Sequence, residues 1–218
     1  MYEQFATKIL KNKRIEDVCI ISFNFDYLLQ EDFKENVYFD YLISFDTIDP
    51  NRKLQYKKEN PLPLLKLNGS LDWSFCPNCG KLTLLFPHLF PNFYYQAKCN
   101  NGCGGSLRPF IVIPHEKYNE KIEVLWRTAR EFLSEAEKIT IIGYSFPAYD
   151  DKVKKLFCCY LNKNAEVYVV DKKEKQSTAI DGTKLQINNI FTHNKLIKFS
   201  FDGFANYVEH SGNVKFVA

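Results

Sequence analysis

The sequence predicts an α/β fold built on a parallel sheet, with a small four-cysteine module inserted into it. Short β-branched runs alternate with amphipathic segments in the second half of the chain, and four cysteines form two close pairs in its middle. The length of 218 residues suits a single core, and 45% hydrophobic with 16% aromatic content is typical of a globular protein. We expect the core domain at residues 1–75 and 104–218 and the module at residues 76–103.

Two short apolar runs in the first half of the chain predict buried strands. Val18–Phe23 follows a helical-looking stretch at Tyr2–Leu10. The second run, Leu64–Leu67, follows the connection Asp49–Pro63, which is rich in proline, lysine and asparagine, as surface loops are. Both runs end in polar residues.

The second half of the chain predicts strands and helices in alternation, which favours a parallel sheet with crossover helices. Apolar residues recur at helical spacing between Lys117 and Lys138, which predicts an amphipathic helix. The remaining predicted elements are strand Phe110–Ile113, strand Ile139–Ile142, helix Asp150–Leu161, strand Val167–Val170, strand Leu196–Phe199 and a short helix near residues 203–209.

The four paired cysteines predict a structural zinc site. Cys76-Pro-Asn-Cys79 and Cys99-Asn-Asn-Gly-Cys103 are separated by nineteen residues, the spacing of a four-cysteine zinc ribbon. Gly80 and Gly102 allow tight turns whose backbone amides point at the sulfur atoms. With four sulfur ligands no position is left for a reactive water, so the zinc is expected to be structural. Two disulfides or four unrelated buried thiols are the alternatives, which the paired spacing disfavours.

Composition excludes several classes of function. The net charge is only +3, and the basic residues are interspersed with acidic ones along the sequence. They form no basic stripe, which argues against a nucleic-acid partner. No apolar run is long enough for a signal peptide or a membrane span, so we expect a cytoplasmic protein with no membrane partner. Reduced thiols are expected in a chain of this size, with Cys19, Cys158 and Cys159 in or near the core.

Polar residues follow the predicted strands, where a Rossmann-like sheet binds its ligands. Taken singly, each is a common turn former. Asp171 ends a strand where an acid accepts hydrogen bonds from an adenosine ribose and repels a 2′-phosphate, which favours NAD over NADP. The candidate cofactor-binding residues are Ser22, Asn24, Asp26, Gly143, Ser145 and Asp171.

The order of these segments resembles the motif series of the sirtuins. The segments are Ser22-Phe-Asn-Phe-Asp26, Leu67-Asn-Gly-Ser70, the paired cysteines, Ile142-Gly-Tyr-Ser145 and Val170-Asp171. The resemblance covers about residues 1–210 and is greatest to bacterial sirtuin-like proteins of antiphage defence, many of which hydrolyse NAD. It implies that Asn24 orients water or substrate at the nicotinamide ribose and that Asp26 holds the nicotinamide carboxamide. It also implies that Gly143 and Ser145 line the path of the phosphates and ribose.

The chain departs from the family pattern in two places. The family's N-terminal strand and glycine-rich loop have no counterpart before Val18. We therefore expect a fragment, a companion segment or subunit that supplies these elements, or a domain that no longer binds dinucleotides in the usual manner. Asn68 occupies the place of the family's catalytic histidine, and an amide does not titrate near neutrality. His115 is the one candidate for a substitute base, although a surface histidine is the simpler interpretation.

Three functional hypotheses follow. The first is an NAD+ glycohydrolase with catalytic residues Asn24, Asp26 and Asn68, because release of nicotinamide depends on stabilising positive charge and placing water more than on a base. Protein deacylation is disfavoured, since Asn68 cannot act as the base. The second is a non-catalytic NAD or ADP-ribose sensor, or a zinc-stabilised scaffold. The third, a nucleic-acid module built on the ribbon, lacks the basic stripe it needs.

Overall fold

The computed structural model describes residues 5, 17–33, 39–48, 61–84, 97–112, 120–147, 149–171, 177–194, 197–200, 204 and 208–209. Its elements in chain order are β1 (Ile20–Ser22), α1 (Leu28–Phe33), β2 (Phe39–Asp40), β3 (Thr47–Ile48), β4 (Leu62–Lys66), β5 (Gly69–Phe75), β6 (Leu82–Leu84), β7 (Arg108–Ile111), α2 (Glu120–Glu135), β8 (Lys138–Ile142), α3 (Asp151–Tyr160), β9 (Glu166–Val170), α4 (Ser177–Ile190) and β10 (Ile197–Ser200). The chain divides into two compact units, one of Met1–Ile21 with Trp126–Ala218 and one of Ser22–Leu125.

The unit that contains the C-terminal half has a parallel sheet of order β10-β9-β8. Each strand pairs in register with the next, from Lys138 opposite Glu166 to Ile142 opposite Val170. Helix α3 joins β8 to β9, and α4 lies between β9 and β10 in the chain. This arrangement confirms the predicted strand-helix-strand unit of parallel type.

Helix α2 is the amphipathic helix expected at Lys117–Lys138. Its ends lie a few residues inside the predicted ones, as is usual for helix ends. One stripe of the helix is almost inaccessible to solvent, each residue being at most 1% exposed: Ile122, Leu125, Trp126, Ala129 and Leu133. The spacing of this stripe repeats every three or four residues, so hydrophobic burial accounts for the helix at this place in the chain.

Helix α3 begins where the sequence predicts. Asp150 caps its N-terminus by accepting a hydrogen bond from the backbone N–H of Val153 at 3.3 Å. The buried face of α3 consists of Val153, Leu156 and Phe157. The next two residues turn away from that face, so Cys158 and Cys159 are exposed and their predicted place in or near the core is wrong. Cys19, in contrast, is buried as expected, and burial raises the pKa of its thiol.

The Ser22–Leu125 unit contains a mixed four-stranded sheet of order β3-β6-β5-β7. Its long central strand, β5, runs antiparallel to both β6 and β7, while β3 is parallel to β6. Strand β4 belongs to a second sheet of order β1-β4-β2, in which β1 ends at Ser22. Edge-to-face contacts among Tyr41, Phe45 and Trp73, with ring centroids 5.4–5.9 Å apart, form part of the apolar core of the unit.

Two long elements were not predicted from the sequence. In β5 polar and apolar residues alternate from Ser70 to Phe75, a strand pattern that our sequence analysis missed. Both faces of the strand are largely buried, and the polar residues Ser70, Asp72 and Ser74 are each 0% exposed. Helix α4 has few apolar residues at helical spacing, and among its described side chains Ile187 is the buried one.

Several predictions fall outside the described residues. These are the helix Tyr2–Leu10 apart from Phe5, most of the connection Asp49–Pro63, the short helix near 203–209 apart from Phe204, Val208 and Glu209, and His115. The predicted domain boundary at residues 76–103 stays a prediction. In the part of the chain that the structure describes, no helix is both long and apolar enough to cross a membrane.

Candidate functional site

The segment Ser22–Asp26, called here the Ser22–Asp26 loop, follows β1 and is held against the β4–β5 connection by its own carbonyl oxygens. The backbone N–H of Leu67 donates to the oxygen of Ser22 at 3.0 Å, and that of Leu71 donates to the oxygen of Phe25 at 2.8 Å. Strands β1 and β4 therefore end at one edge, as expected for residues that follow neighbouring strands.

Side chains hold the other three carbonyls of the loop. The Asn68 amide Nδ2 donates to the oxygen of Phe23 at 2.9 Å, and the Ser22 hydroxyl donates to the oxygen of Asn24 at 3.3 Å. The ammonium Nζ of Lys66 donates to the oxygen of Asp26. All five carbonyls from Ser22 to Asp26 thus have donors, which fixes the path of the loop backbone.

The two polar side chains of the loop differ in exposure. Asn24 is exposed, whereas Asp26 is half-buried and its Oδ1 accepts a hydrogen bond from the backbone N–H of Leu28 at 3.2 Å, at the start of α1. Asn68, also half-buried, lies beside the loop through its bond to Phe23. The structure therefore brings the three predicted catalytic residues, Asn24, Asp26 and Asn68, into one small region of the Ser22–Leu125 unit.

Gly69 explains why the connection after Asn68 has its observed shape. Its φ is +75°, a conformation that side chains rarely adopt, and an added Cβ would lie 2.0 Å from the carbonyl oxygen of Phe110. The backbone N–H of Val112 donates to the oxygen of Asn68 at 3.0 Å. Close approach of the chain to β7 thus requires glycine immediately after Asn68.

Two buried charged residues near the Ser22–Asp26 loop were not singled out in the sequence analysis. Lys66 is 2% exposed and Asp72 is 0% exposed, and the charge of Asp72 acts on Lys66 more strongly than that of Asp26. Burial lowers the pKa of Lys66 to about 8, although both carboxylates oppose this shift. The sequence signal was a lysine inside the apolar run Leu64–Leu67, where an unpaired charge would be costly.

The other unit brings Gly143 and Asp171 together at one sheet edge. They follow Ile142 and Val170, which are register partners, and the Gly143 N–H donates to the oxygen of Val170 at 2.9 Å. Gly143 has a φ of +64°, so its backbone takes a turn that favours glycine. Ser145, two residues on, is exposed.

The turn after Gly143 is anchored by aromatic packing. Phe146 is fully buried with a φ of 51°, and its ring contacts those of Tyr144, Phe157 and Phe191 with centroids 4.8–5.7 Å apart. The Tyr144 hydroxyl donates to Asp150, and burial followed by this bond raises the pKa of the phenol. These contacts position Gly143 and Ser145 at the end of β8.

The four paired cysteines form a compact cluster. The Sγ atoms of Cys76, Cys79, Cys99 and Cys103 all lie within 4.8 Å of one another. Cys76 and Cys103 approach to 3.4 Å, and Cys79 and Cys99 to 3.6 Å, distances that exclude disulfide bonds. Tetrahedral zinc with Zn–S bonds of about 2.3 Å separates its sulfur ligands by roughly 3.8 Å. The donor set and its spacing therefore fit a four-sulfur zinc site.

Backbone amides support the cluster, as the sequence predicted. The N–H groups of Lys81, Asn101 and Gly105 bond to the sulfur atoms of Cys79, Cys99 and Cys103, each two residues earlier in the chain. The Lys81 amide is the largest influence that lowers the pKa of Cys79, to about 7, whereas desolvation and bonds between the sulfur atoms raise the pKa values of Cys99 and Cys103 in the absence of metal. Gly80 and Gly102 have φ values of +70° and +69°, so the tight turns use glycine as expected. A thiolate at neutral pH is the form that binds metal.

No family model matches the sequence. Among curated proteins, the chain is similar to an NAD-dependent protein deacetylase of Listeria monocytogenes, with 27% identity over 121 residues, which cover 54% of this chain and 46% of the relative. A protein of the same name from Listeria innocua is 28% identical over 122 residues, with 54% and 46% covered. The matched region spans about half the length of these relatives.

Solved sirtuin structures share the fold. A Sir2–p53 peptide–NAD+ complex matches with a TM-score of 0.52 and 15% identity, over 94% of this chain and 68% of that one. A histidine-to-asparagine mutant of a Sir2 homologue in complex with ADP-ribose matches with a TM-score of 0.53 and 16% identity, over 98% and 68%. The fold and the cysteine cluster define an α/β protein with a sirtuin-like, Rossmann-type architecture. By sequence and by structure, this chain is similar to the sirtuins.

Proposed function

We propose that this chain is an NAD-binding domain that participates in cleavage of the bond between nicotinamide and ribose. The observation that supports this proposal is the Ser22–Asp26 loop, whose five carbonyls all have donors while Asn24 remains exposed beside Asp26 and Asn68. A rigid backbone that presents polar groups at the end of a parallel strand is the usual setting for nucleotide chemistry. The curated relatives are named NAD-dependent, which supports the choice of ligand.

The proposed reaction converts NAD+ and water into nicotinamide, ADP-ribose and a proton. As the bond breaks, positive charge develops on the ribose, and the carboxylate of Asp26 stabilises it or holds the nicotinamide amide. Asn24 places the attacking water with its side-chain oxygen as acceptor. Gly143, Ser145 and Asp171 are our candidates for binding phosphates and an adenosine ribose. Asp171 favours NAD over NADP by repelling a 2′-phosphate.

Asn68 is assigned a positioning role in this proposal. Its Nδ2 donates to the Phe23 oxygen, so the amide supports the loop and has no titratable group that could accept a proton. Protein deacylation is therefore disfavoured, although the Listeria relatives are named deacetylases. A solved Sir2 homologue that carries a histidine-to-asparagine substitution is a complex with ADP-ribose, which supports the choice of an adenine dinucleotide or its product as ligand.

We also propose a companion segment or subunit and a role in prokaryotic antiphage defence. In the part of the chain that the structure describes, β1 is an edge strand of its sheet, and its residues Ile20 and Ile21 are buried. An edge strand with apolar side chains is a template for a further strand. A companion that contributes a strand and a glycine-rich phosphate-binding loop suits this edge. We place the reaction in the cytoplasm, where the seven thiols stay reduced.

The alternative is a non-catalytic sensor of NAD or ADP-ribose, or a scaffold stabilised by zinc. The bond between Asn68 and Phe23 favours it, since the amide serves structure instead of proton transfer. A sensor would bind nucleotide without releasing nicotinamide.

Measuring nicotinamide release from NAD+, by the chain alone and with its neighbouring gene products, tests the proposal. We expect release with the companion present, and a loss of at least about 100-fold in Asn24→Ala, since placing water contributes on the order of 10²-fold or more. Asn188→Ala is the matched control, because Asn188 is an exposed asparagine on α4. Tight ADP-ribose binding without nicotinamide release would support the sensor.

A further inference from the structure

The loop that presents the proposed catalytic residues has one charged donor among its supports, and that donor is buried. Lys66 comes from the last position of β4 and donates to the carbonyl oxygen of Asp26. The remaining donors to the loop are backbone amides, the Asn68 amide and the Ser22 hydroxyl. A charged donor forms a hydrogen bond stronger than those of neutral groups.

Burial makes the positive charge of Lys66 unfavourable, and two nearby carboxylates partly offset this cost. Its side chain is 2% exposed, so water does not solvate the ammonium group. Asp72 of β5 and Asp26 of the loop are the carboxylates whose charges favour the ammonium form, with Asp72 the stronger. If Lys66 served packing alone, leucine or methionine would fill the same space without the free-energy cost of desolvating a charge.

We propose that Lys66 is a positioning residue for the proposed reaction, which holds the Asp26 carbonyl and thereby sets the backbone that presents Asn24 and Asp26 to NAD. This inference rests on the proposed function for its consequence, but the effect on the loop is independent of any ligand. Asp72 completes the arrangement by neutralising the lysine below the loop. Neither Lys66 nor Asp72 contacts the reacting atoms in this proposal.

Burial changes the pH range in which Lys66 titrates. Desolvation lowers the pKa of Lys66 to about 8, against the opposing effect of Asp72 and Asp26. Protonation of Lys66 is therefore expected to change near pH 8. The loop amides should report that change, because the ammonium bonds directly to the peptide group between Asp26 and Tyr27.

The first test is amide hydrogen exchange of the full chain without nucleotide, comparing wild type with Lys66→Met. Loss of the donor is expected to raise exchange in the peptide 23–28 by roughly tenfold or more, because a hydrogen bond to a charged group is among the stronger ones. Lys121→Met is the matched control. Lys121 belongs to the same unit but donates to the carboxylate of Asp46, an exposed residue, at 3.1 Å. Unchanged exchange in a folded Lys66→Met protein would overturn the proposal.

The second test uses wild type alone and applies even if Lys66→Met fails to fold. Nuclear magnetic resonance of lysine side chains and loop amides is expected to show one lysine with a midpoint near pH 8, followed by the amides of residues 25–28. If every lysine titrates in its ordinary range, or the loop amides do not respond, the proposal is wrong.

The third measurement connects the loop to the ligand. In the presence of any companion, Lys66→Met is expected to weaken NAD binding about tenfold while Lys121→Met matches wild type. If neither wild type nor any variant binds NAD, the proposed function fails, yet the exchange experiment still decides the positioning role. If wild type binds and Lys66→Met binds equally well with a loosened loop, the positioning role in recognition is wrong.

Discussion

Single residues determine the local structure of the Ser22–Asp26 loop and of the four-cysteine cluster. The Lys66 ammonium and the Asn68 amide hold adjacent parts of one loop, and their supporting role becomes apparent only from these contacts. Gly105 has the equivalent importance in the cysteine cluster, because an added Cβ would lie 2.5 Å from the Sγ of Cys76. These residues support the loop and the cysteine cluster through close contacts and a buried charge, which arise only in the folded chain.

The buried charge of Lys66 predicts a specific dependence of stability on pH. The pKa is about 8 in the folded chain against an ordinary value of 10.5. Between these values the unfolded chain binds more protons than the folded chain, so the unfolding free energy rises with pH. Lys66 is expected to contribute about 3 kcal/mol of this rise, since each pKa unit corresponds to about 1.4 kcal/mol.

Urea unfolding from pH 7.5 to 10.5 measures this effect. The difference in unfolding free energy between wild type and Lys66→Met should change steadily in favour of wild type as pH increases, while Lys121→Met follows wild type. Parallel curves for wild type and Lys66→Met would contradict the burial of a titrating lysine.

Gly105→Ala is expected to disrupt the cysteine cluster sterically. The new methyl group would meet Cys76 Sγ at 2.5 Å and Asn78 Cγ at 3.1 Å, and overpacking of this kind costs about 1–3 kcal/mol. Gly102→Ala is the control, because nothing lies within 4 Å of its added Cβ although its φ is +69°. Chelator-induced metal release should be clearly faster in Gly105→Ala than in Gly102→Ala. Equal rates would show that backbone conformation, and not contact with sulfur, is the constraint.

At the scale of elements, the two cysteine turns pack around a small cluster of buried residues in the described part of the chain. This group consists of Cys76, Ala97, Cys99 and Leu107, with Cys79 and Cys103 packed against it. In four-cysteine modules of this kind, metal binding supplies much of the folding free energy.

We therefore expect one zinc per chain, held by four sulfur atoms. Cys99→Ser should lose the metal and unfold the module before it alters the rest of the chain, as elemental analysis and limited proteolysis would show. Cys158→Ser is the control, because Cys158 is an exposed thiol on α3 and should leave the zinc content unchanged. Reduced wild-type protein without stoichiometric zinc would refute the site.

At the scale of the whole molecule, the proposal includes a companion that adds a strand beside β1, which is an edge strand of its sheet among the described residues. We expect the isolated chain to bind NAD weakly, since strong dinucleotide binding uses free amides at a helix N-terminus after a glycine-rich loop. Co-expression with a segment that provides these elements should raise the melting temperature and restore NAD binding, because a partner that binds only the folded form stabilises it.

Calorimetry and thermal unfolding test this expectation together. Micromolar NAD affinity of the isolated chain would remove the need for a companion. A stable monomer that gains nothing from any companion would favour the sensor or scaffold instead.

Much of this protein follows from the sequence by itself. The parallel strands β8 and β9 with helix α3, the amphipathic helix α2 and the cysteine pairs were predicted because each depends on local spacing: a 3.6-residue period, a short β-branched run, or two ligands on one turn. Tertiary structure alone decided the burial of both faces of β5, the exposure of Cys158 and Cys159, and the network around the Ser22–Asp26 loop. In these cases the outcome depends on residues distant in the chain: the lysine at 66 bonds to a carbonyl forty positions earlier, and Ser70, Asp72 and Ser74 of β5 are buried although their alternation with apolar residues is typical of a face exposed to solvent. Local patterns record which residues repeat along the chain, whereas the cost of a buried charge or polar group is set by neighbours that only folding brings together.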